Sequence, residues 1–181
     1  MERYRIGADG GVYFVTMSVV EWLPVFVSEA ACKIVAESLN FCHHNKALRI
    51  NAYVVMPSHL HGIVFRQWFD PMALKASLTD FRKFTGQRLS DYCGQALPRC
   101  FAEVLRESSG KDRVRRFWQP TFHPEAIVSE SFWRQKLDYL HDNPRRKGLV
   151  GQAEYWRFSS ASYWASEGHV PNDVILSAID W

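Results

Sequence analysis

A chain of 181 residues, 47% hydrophobic and 14% aromatic, has the composition of an ordinary globular protein and the length for one compact domain with its own core. Its formal net charge of +3 is compatible with a nucleic-acid partner without identifying one. No apolar run approaches the roughly 18 residues of a membrane span, Arg3, Arg5 and Asp9 stand where a secretory signal needs an apolar core, and Cys32, Cys42, Cys93 and Cys100 form no CxxC pair, so we expect a cytoplasmic protein with free thiols.

Gly10 and Gly11 lead into residues 12–19 (VYFVTMSV), a β-branched and aromatic run that predicts a first strand. Ser28 is a good N-cap, and Ala31, Ile34, Val35, Ser38, Leu39 and Cys42 recur at helical spacing as far as His44. Residues 48–56 (LRINAYVVM) alternate as a second strand, Pro57-Ser58 makes a turn, and residues 59–65 (HLHGIVF) form a third, paired with the second as an antiparallel hairpin. Helical spacing returns over residues 72–89 through Leu74, Leu78, Phe81 and Leu89, with Lys75, Arg82, Lys83 and Arg88 on the polar sides.

Residues 91–120 read as a basic insertion that holds a possible helix, a break at Ser108-Ser109-Gly110 and a run with Arg113, Arg115 and Arg116 before Phe117-Trp118. Residues 121–128 predict the fourth strand. The helix over 130–143 is capped by Ser129, striped by Trp133, Leu137 and Leu140, and stopped by Pro144. The tail over 152–181, rich in Tyr155, Trp156, Phe158, Tyr163 and Trp164, is expected to pack back on the body. The order β-α-β-β-α-β plus a helix predicts an α+β, ferredoxin-like domain over 1–181, an antiparallel sheet with helices on one face and a C-terminal catalytic helix.

In a strand, residues two apart share a face, so His59 and His61 present two imidazoles side by side. Taken alone, the pair reads either as metal ligands or as polar residues on a sheet face. On the helix over 130–143, Tyr139 and Asn143 stand four apart and lie within about 40° of each other around the axis, which places a phenol and an amide on one face. A phenol with a pKa near 10 is a poor nucleophile unless a cation favours the phenolate or polarises its target. A metal on His59, His61 and the Asn143 amide oxygen would do so, and the alternative is a packing tyrosine beside a helix-end asparagine. Cys42, His43 and His44 read as a helix end before a metal site, and His141, two residues beyond Tyr139, reads as exposed.

Residues 53–64 (YVVMPSHLHGIV) resemble the HUH motif of small single-tyrosine transposases, and residues 138–144 (DYLHDNP) with Gly148-Leu149-Val150 resemble their tyrosine-helix motif. Within that group the chain is most similar to the REP-associated tyrosine transposases, with supporting matches at Tyr13-Phe14-Val15-Thr16, Phe117-Trp118-Gln119 and residues 156–160 (WRFSS) with Tyr163. The resemblance implies a metal-dependent enzyme that nicks and joins single-stranded DNA near repeat hairpins through a 5′-phosphotyrosine. It makes Tyr139 the nucleophile, His59, His61 and Asn143 the ligands of Mg²⁺ or Mn²⁺, and a hairpin-bearing single strand the partner of a monomer or homodimer. Arg113, Arg115, Arg116, Lys75, Arg82 and Lys83 are the candidate DNA contacts, with base stacking expected on Phe117 or Trp118. Two competing readings are a catalytically silent hairpin-binding regulator and a metallohydrolase that activates water. Ser58 stands where many relatives carry Asn, and the stretch over 91–116 exceeds a minimal connection.

Overall fold

The structure, a computed structural model, describes residues 6–7, 11–109 and 115–179. Four strands, β1 (Val12–Ser18), β2 (Leu48–Met56), β3 (His59–Arg66) and β4 (Glu125–Ile127), form one sheet in the order β2-β3-β1-β4 with every neighbouring pair antiparallel. The helices are α1 (Glu29–Lys46), α2 (Pro71–Ala96), α3 (Arg99–Glu107), α4 (Glu130–Arg146) and the short α5 (Ala161–Ala165). This is the α+β, ferredoxin-like arrangement expected from the element order. No helix among the described residues is long and apolar enough to cross a membrane.

Alternation along the strands divides the apolar residues between two faces. Tyr13, Val15, Met17, Tyr53, Val55, Leu60 and Val64 face one way and pack with Val35, Leu39, Leu74, Leu78 and Phe81 of α1 and α2 in the larger core. Val12, Phe14, Ala52, Val54, Met56, Ile63 and Phe65 face the other way and pack with Leu140 of α4. The register pairs Thr16 with His61 and Ser18 with His59, so the α4 face is apolar at one end and polar at the other. Chemistry at that end comes without breaking the core.

Local signals account for most boundaries. Ser28 Oγ accepts from the Ala31 amide to open α1, and Asp70 accepts from Met72 and Ala73 to open α2, where Pro71 supplies a preset φ. Beyond 89, α2 continues because Ser90 and Cys93 keep its buried stripe going, and it ends before Pro98, where α3 starts. β4 is shorter than the expected 121–128, since Pro124 withholds a ladder donor immediately before it.

Pro144 corrects the expectation that it stops α4, because the helix runs two residues further to Arg146. A proline this close to a helix end forfeits one backbone bond. Its carbonyl is then used: the Leu149 amide donates to Pro144 O at 2.9 Å and the Gly148 amide to Arg145 O at 2.9 Å, with Gly148 at φ 70°. That double closure is a Schellman end, and it needs the left-handed residue that glycine adopts freely.

The tail packs back as expected, along β2. Ser177 donates to Ile50 O, Ser160 to Tyr53 O, and the indoles of Trp156 and Trp164 donate to Val55 O and Asn51 O at 2.9 Å each. These bonds occupy backbone groups on the otherwise open edge of the sheet. All four cysteines are free thiols, and burial pushes Cys32 up to about 12 and Cys42 and Cys93 up to about 11.

Candidate active site

The polar end of the α4 face gathers the residues expected to carry chemistry. His59 and His61 lie edge to face with ring centroids 4.7 Å apart, and Tyr139 stands edge-on to His61 at 5.7 Å. Phe14 stacks on His61 at 5.3 Å and meets Tyr139 at 6.0 Å, so one aromatic ring wedges the histidine and tyrosine into a common geometry. Tyr139 remains 40% exposed, which leaves its ring open to a ligand.

Both imidazoles are anchored through one nitrogen. His61 Nδ1 pairs with Thr16 Oγ1 at 2.8 Å and His59 Nδ1 with Ser58 Oγ at 3.3 Å, while neither Nε2 has a hydrogen-bond partner among the described residues. Burial pushes His59 down to about 4, helped by the charge of Lys147, and His61 down to about 3, helped by His59 and Lys136. Two neutral rings with free nitrogens suit a metal.

Asn143 belongs to the same face. Tyr139 lies against His61, the Lys147 charge reaches His59, and Asn143 stands one turn from each of them along α4. It is 6% exposed, and its Nδ2 is buried without a hydrogen-bond partner. A buried donor left unpaired costs roughly 1–3 kcal/mol. No group of three His, Cys, Asp or Glu among the described residues could hold a metal. His59 and His61 supply two imidazoles, and the Asn143 side-chain oxygen is the further donor that the α4 sequence offers.

One cation lies against the tyrosine and another against its neighbour Phe14. The Arg146 guanidinium lies 5.6 Å over its ring, and Lys136 Nζ lies 4.8 Å over Phe14 while paired with Glu125 at 2.5 Å. A shallow cavity of about 420 Å³ opens beside Tyr139 and Arg146. Arg145 turns away to Asp142.

His141 differs from its expected exposure. It is half-buried and its Nε2 meets Ser160 Oγ at 2.8 Å, with burial pushing it down to about 4. Ser160 lies 19 residues further along the chain, in a tail whose docking onto β2 no helical wheel can display.

The candidate DNA contacts fall into separate groups. Arg82, Lys83, Arg115 and Arg116 line one groove of about 710 Å³ between α2 and the segment 115–120. Lys75 is exposed earlier on α2, outside that lining, and Arg113 lies outside the described residues. Arg82 also donates to Gln119 O at 2.5 Å, and Arg115 pairs with Asp91. Phe117 and Trp118 correct the expectation of base stacking: they are 3% and 5% exposed, packed on Phe26, and the Trp118 indole donates to Thr85 Oγ1 at 3.0 Å. Pairing of Trp118 with Val19 draws both rings inward.

One aromatic at the site escaped the sequence reading. Trp22, in the 3-10 turn Val20–Trp22, meets His59 edge to face at 5.8 Å and is 58% exposed. Nothing in its composition marks such a turn.

No family model matches the chain. It is 27% identical over 171 residues to the REP-associated tyrosine transposase of Escherichia coli (strain K12), covering 94% of this chain and 87% of that protein. Its fold is similar to a solved structure of a REP-associated tyrosine transposase bound to a REP hairpin, with a TM-score of 0.68, 22% identity, and coverage of 100% of this chain and 95% of the other. The resemblance carried by the HxH and tyrosine-helix segments thus extends over nearly the whole chain.

Proposed function

We propose that this chain, similar in sequence and fold to the REP-associated tyrosine transposases, is a transposase-type enzyme that nicks and joins single-stranded DNA with Tyr139 as nucleophile. The observation that carries the reading is Tyr139 beside His61 at 5.7 Å, partly exposed, on a helix whose next turn brings Asn143 to the same face. The hairpin in the solved relative motivates the choice of partner, a single strand that bears a repeat hairpin.

In the forward step Tyr139 Oη bonds to phosphorus while the bond from phosphorus to the 3′-oxygen breaks. The phenolic proton is lost and the leaving oxygen gains one, which yields a 5′-phosphotyrosine and a free 3′-hydroxyl. Reversal on another 3′-hydroxyl joins strands. Phe14 and Arg146 both lie against the tyrosine ring, and the guanidinium offers the phosphate a charged donor. Thr16 and Ser58 fix the two imidazoles through Nδ1, with Nε2 left for a ligand. A divalent cation bound by His59, His61 and Asn143, Mg²⁺ or Mn²⁺, would supply positive charge against the phosphate oxygens.

The test is covalent transfer of labelled hairpin-bearing single strands to the protein in the presence of Mg²⁺ or Mn²⁺. We expect an adduct that survives denaturation and is lost in Tyr139→Phe and in His61→Ala. An adduct that persists in Tyr139→Phe would overturn the reading, and cleavage without any adduct would favour activated water.

A further inference from the structure

Trp22 is held where an exposed indole has no structural reason to be. Glu21 and Trp22 both occupy the left-handed region, at φ 50° and 54°. For residues with side chains this conformation costs roughly 1–2 kcal/mol each, and such strain persists only where the surroundings enforce it. They do so here through three backbone bonds: Val19 donates to Ser58 O at 2.9 Å, Val20 to Phe117 O at 2.9 Å, and Trp22 to Val19 O at 3.1 Å. The turn is thereby bolted to the hairpin turn at Ser58, next to His59, on one side and to Phe117 in the lining of the basic groove on the other.

The tryptophan that this frame presents is 58% exposed. Its aromatic contact is a T-shaped meeting with His59, and the charge of Lys147 acts on that histidine. A flat, half-solvated aromatic face against His59, at the mouth of the proposed nicking site, has the properties of a stacking platform for an unpaired base. Contacts link its turn to both regions: Val20 bonds to the carbonyl of Phe117, which lines the groove of Arg82, Lys83, Arg115 and Arg116, and Trp22 meets His59, whose neighbour His61 meets Tyr139. A strand that follows the cations of the groove would pass Trp22 before it reaches the tyrosine.

We infer that Trp22 stacks on a nucleobase of the single strand that enters the His59–Tyr139 site, the part that Phe117 and Trp118 are too buried to play. The inference rests on the proposed nicking function for its choice of ligand. It assigns the platform to a residue outside both motifs.

The probe is a labelled 20-nucleotide dA strand and a 20-nucleotide abasic strand of the same backbone, bound to the full chain by fluorescence anisotropy at one salt concentration without divalent cation. Stacking of one base on an aromatic side chain corresponds to about five- to 150-fold in affinity. Trp22→Ala is expected to lose that factor on the dA strand and less than twofold on the abasic strand, while Trp22→Phe keeps most of the affinity. Equal affinity of Trp22→Ala and the unaltered protein for the dA strand would overturn the inference. So would an equal loss on both strands, or a loss in Trp22→Phe as large as in Trp22→Ala. The covalent-adduct assay keeps the two readings apart: an adduct at Tyr139 with no effect of Trp22→Ala on binding sinks the platform alone, and a base-dependent loss at Trp22 without any adduct sinks the nicking reading alone.

Discussion

His141 and Ser160 meet at 2.8 Å, and Ser160 in turn accepts from the Tyr53 amide at 3.0 Å and reaches Tyr53 O at 3.3 Å. A residue two positions from the candidate nucleophile is therefore tied through one hydroxyl to the backbone of β2. The helix that carries Tyr139 is held against the sheet by a polar contact as well as by Leu140, which is fully buried beside it.

Breaking that contact should misplace the nucleophile without touching DNA. In Ser160→Ala the His141 Nε2 loses its partner in a largely buried place, at a cost of about 1–3 kcal/mol. We expect a lower melting temperature and adduct formation slowed about tenfold, with affinity for a dA strand unchanged. His141→Gln, whose amide can reach the same hydroxyl, should restore most of the rate that His141→Ala loses. Single-turnover adduct rates measured beside equilibrium binding decide the matter, and a loss of binding equal to the loss of rate would refute a positioning role.

The same histidine gives stability a dependence on pH. Burial holds His141 at about 4 in the folded protein, below the 6.5 of an unhindered imidazole. Between those values the unfolded chain binds more protons than the folded one, so stability falls as pH drops through 6.5 and the full penalty is in place below about 4. One such group contributes at most about 1.4 kcal/mol per pH unit. Urea midpoints for the unaltered protein and for His141→Gln should converge as pH falls from 6.5 to 4. Parallel curves would remove His141 from the account.

Much of this architecture was legible because it depends on alternation and caps. The span of β2 and the pairing of His59 with His61 on one face follow from period two, Ser28 and Ser129 open their helices as expected, and four-residue spacing brings Asn143 to the face of Tyr139. What escaped is tertiary. The expected stop at Pro144 did not allow for the two closing bonds that Gly148 makes possible, and Phe117 and Trp118 read as stacking rings until their pairing beside Val19 buried them. Ser160 reaches His141 only because the tail docks on β2, and the left-handed turn at Trp22 is enforced by partners that lie far away in sequence.

Metal binding should be visible without DNA. If His59 and His61 bind Mn²⁺ as proposed, Mn²⁺ at a hundred times its dissociation constant would stabilise the folded state by about 2.7 kcal/mol. A rise in melting temperature with Mn²⁺, reversed by chelator and absent in the double variant His59→Ala/His61→Ala, is the expected outcome. Asn143→Ala should weaken the response while it relieves an orphan amide, so its melting temperature without metal should not fall as far as a typical buried deletion. An unchanged Mn²⁺ response in Asn143→Ala would remove the amide from the ligand set.

The basic groove makes a separate, electrostatic prediction. Each phosphate contact adds about 0.7 to the slope of log affinity against log salt for a single strand. Lys83 lines the groove, whereas Arg82 and Arg115 also hold Gln119 O and Asp91, so Lys83→Gln is a cleaner probe than either. We expect Lys83→Gln to lower the slope by about 0.7 and to weaken the dA strand and the abasic strand alike, the opposite of the pattern expected for Trp22→Ala. A salt titration of both variants on both strands separates backbone contacts from base contacts, and a slope unchanged in Lys83→Gln would take the groove out of the path of the strand.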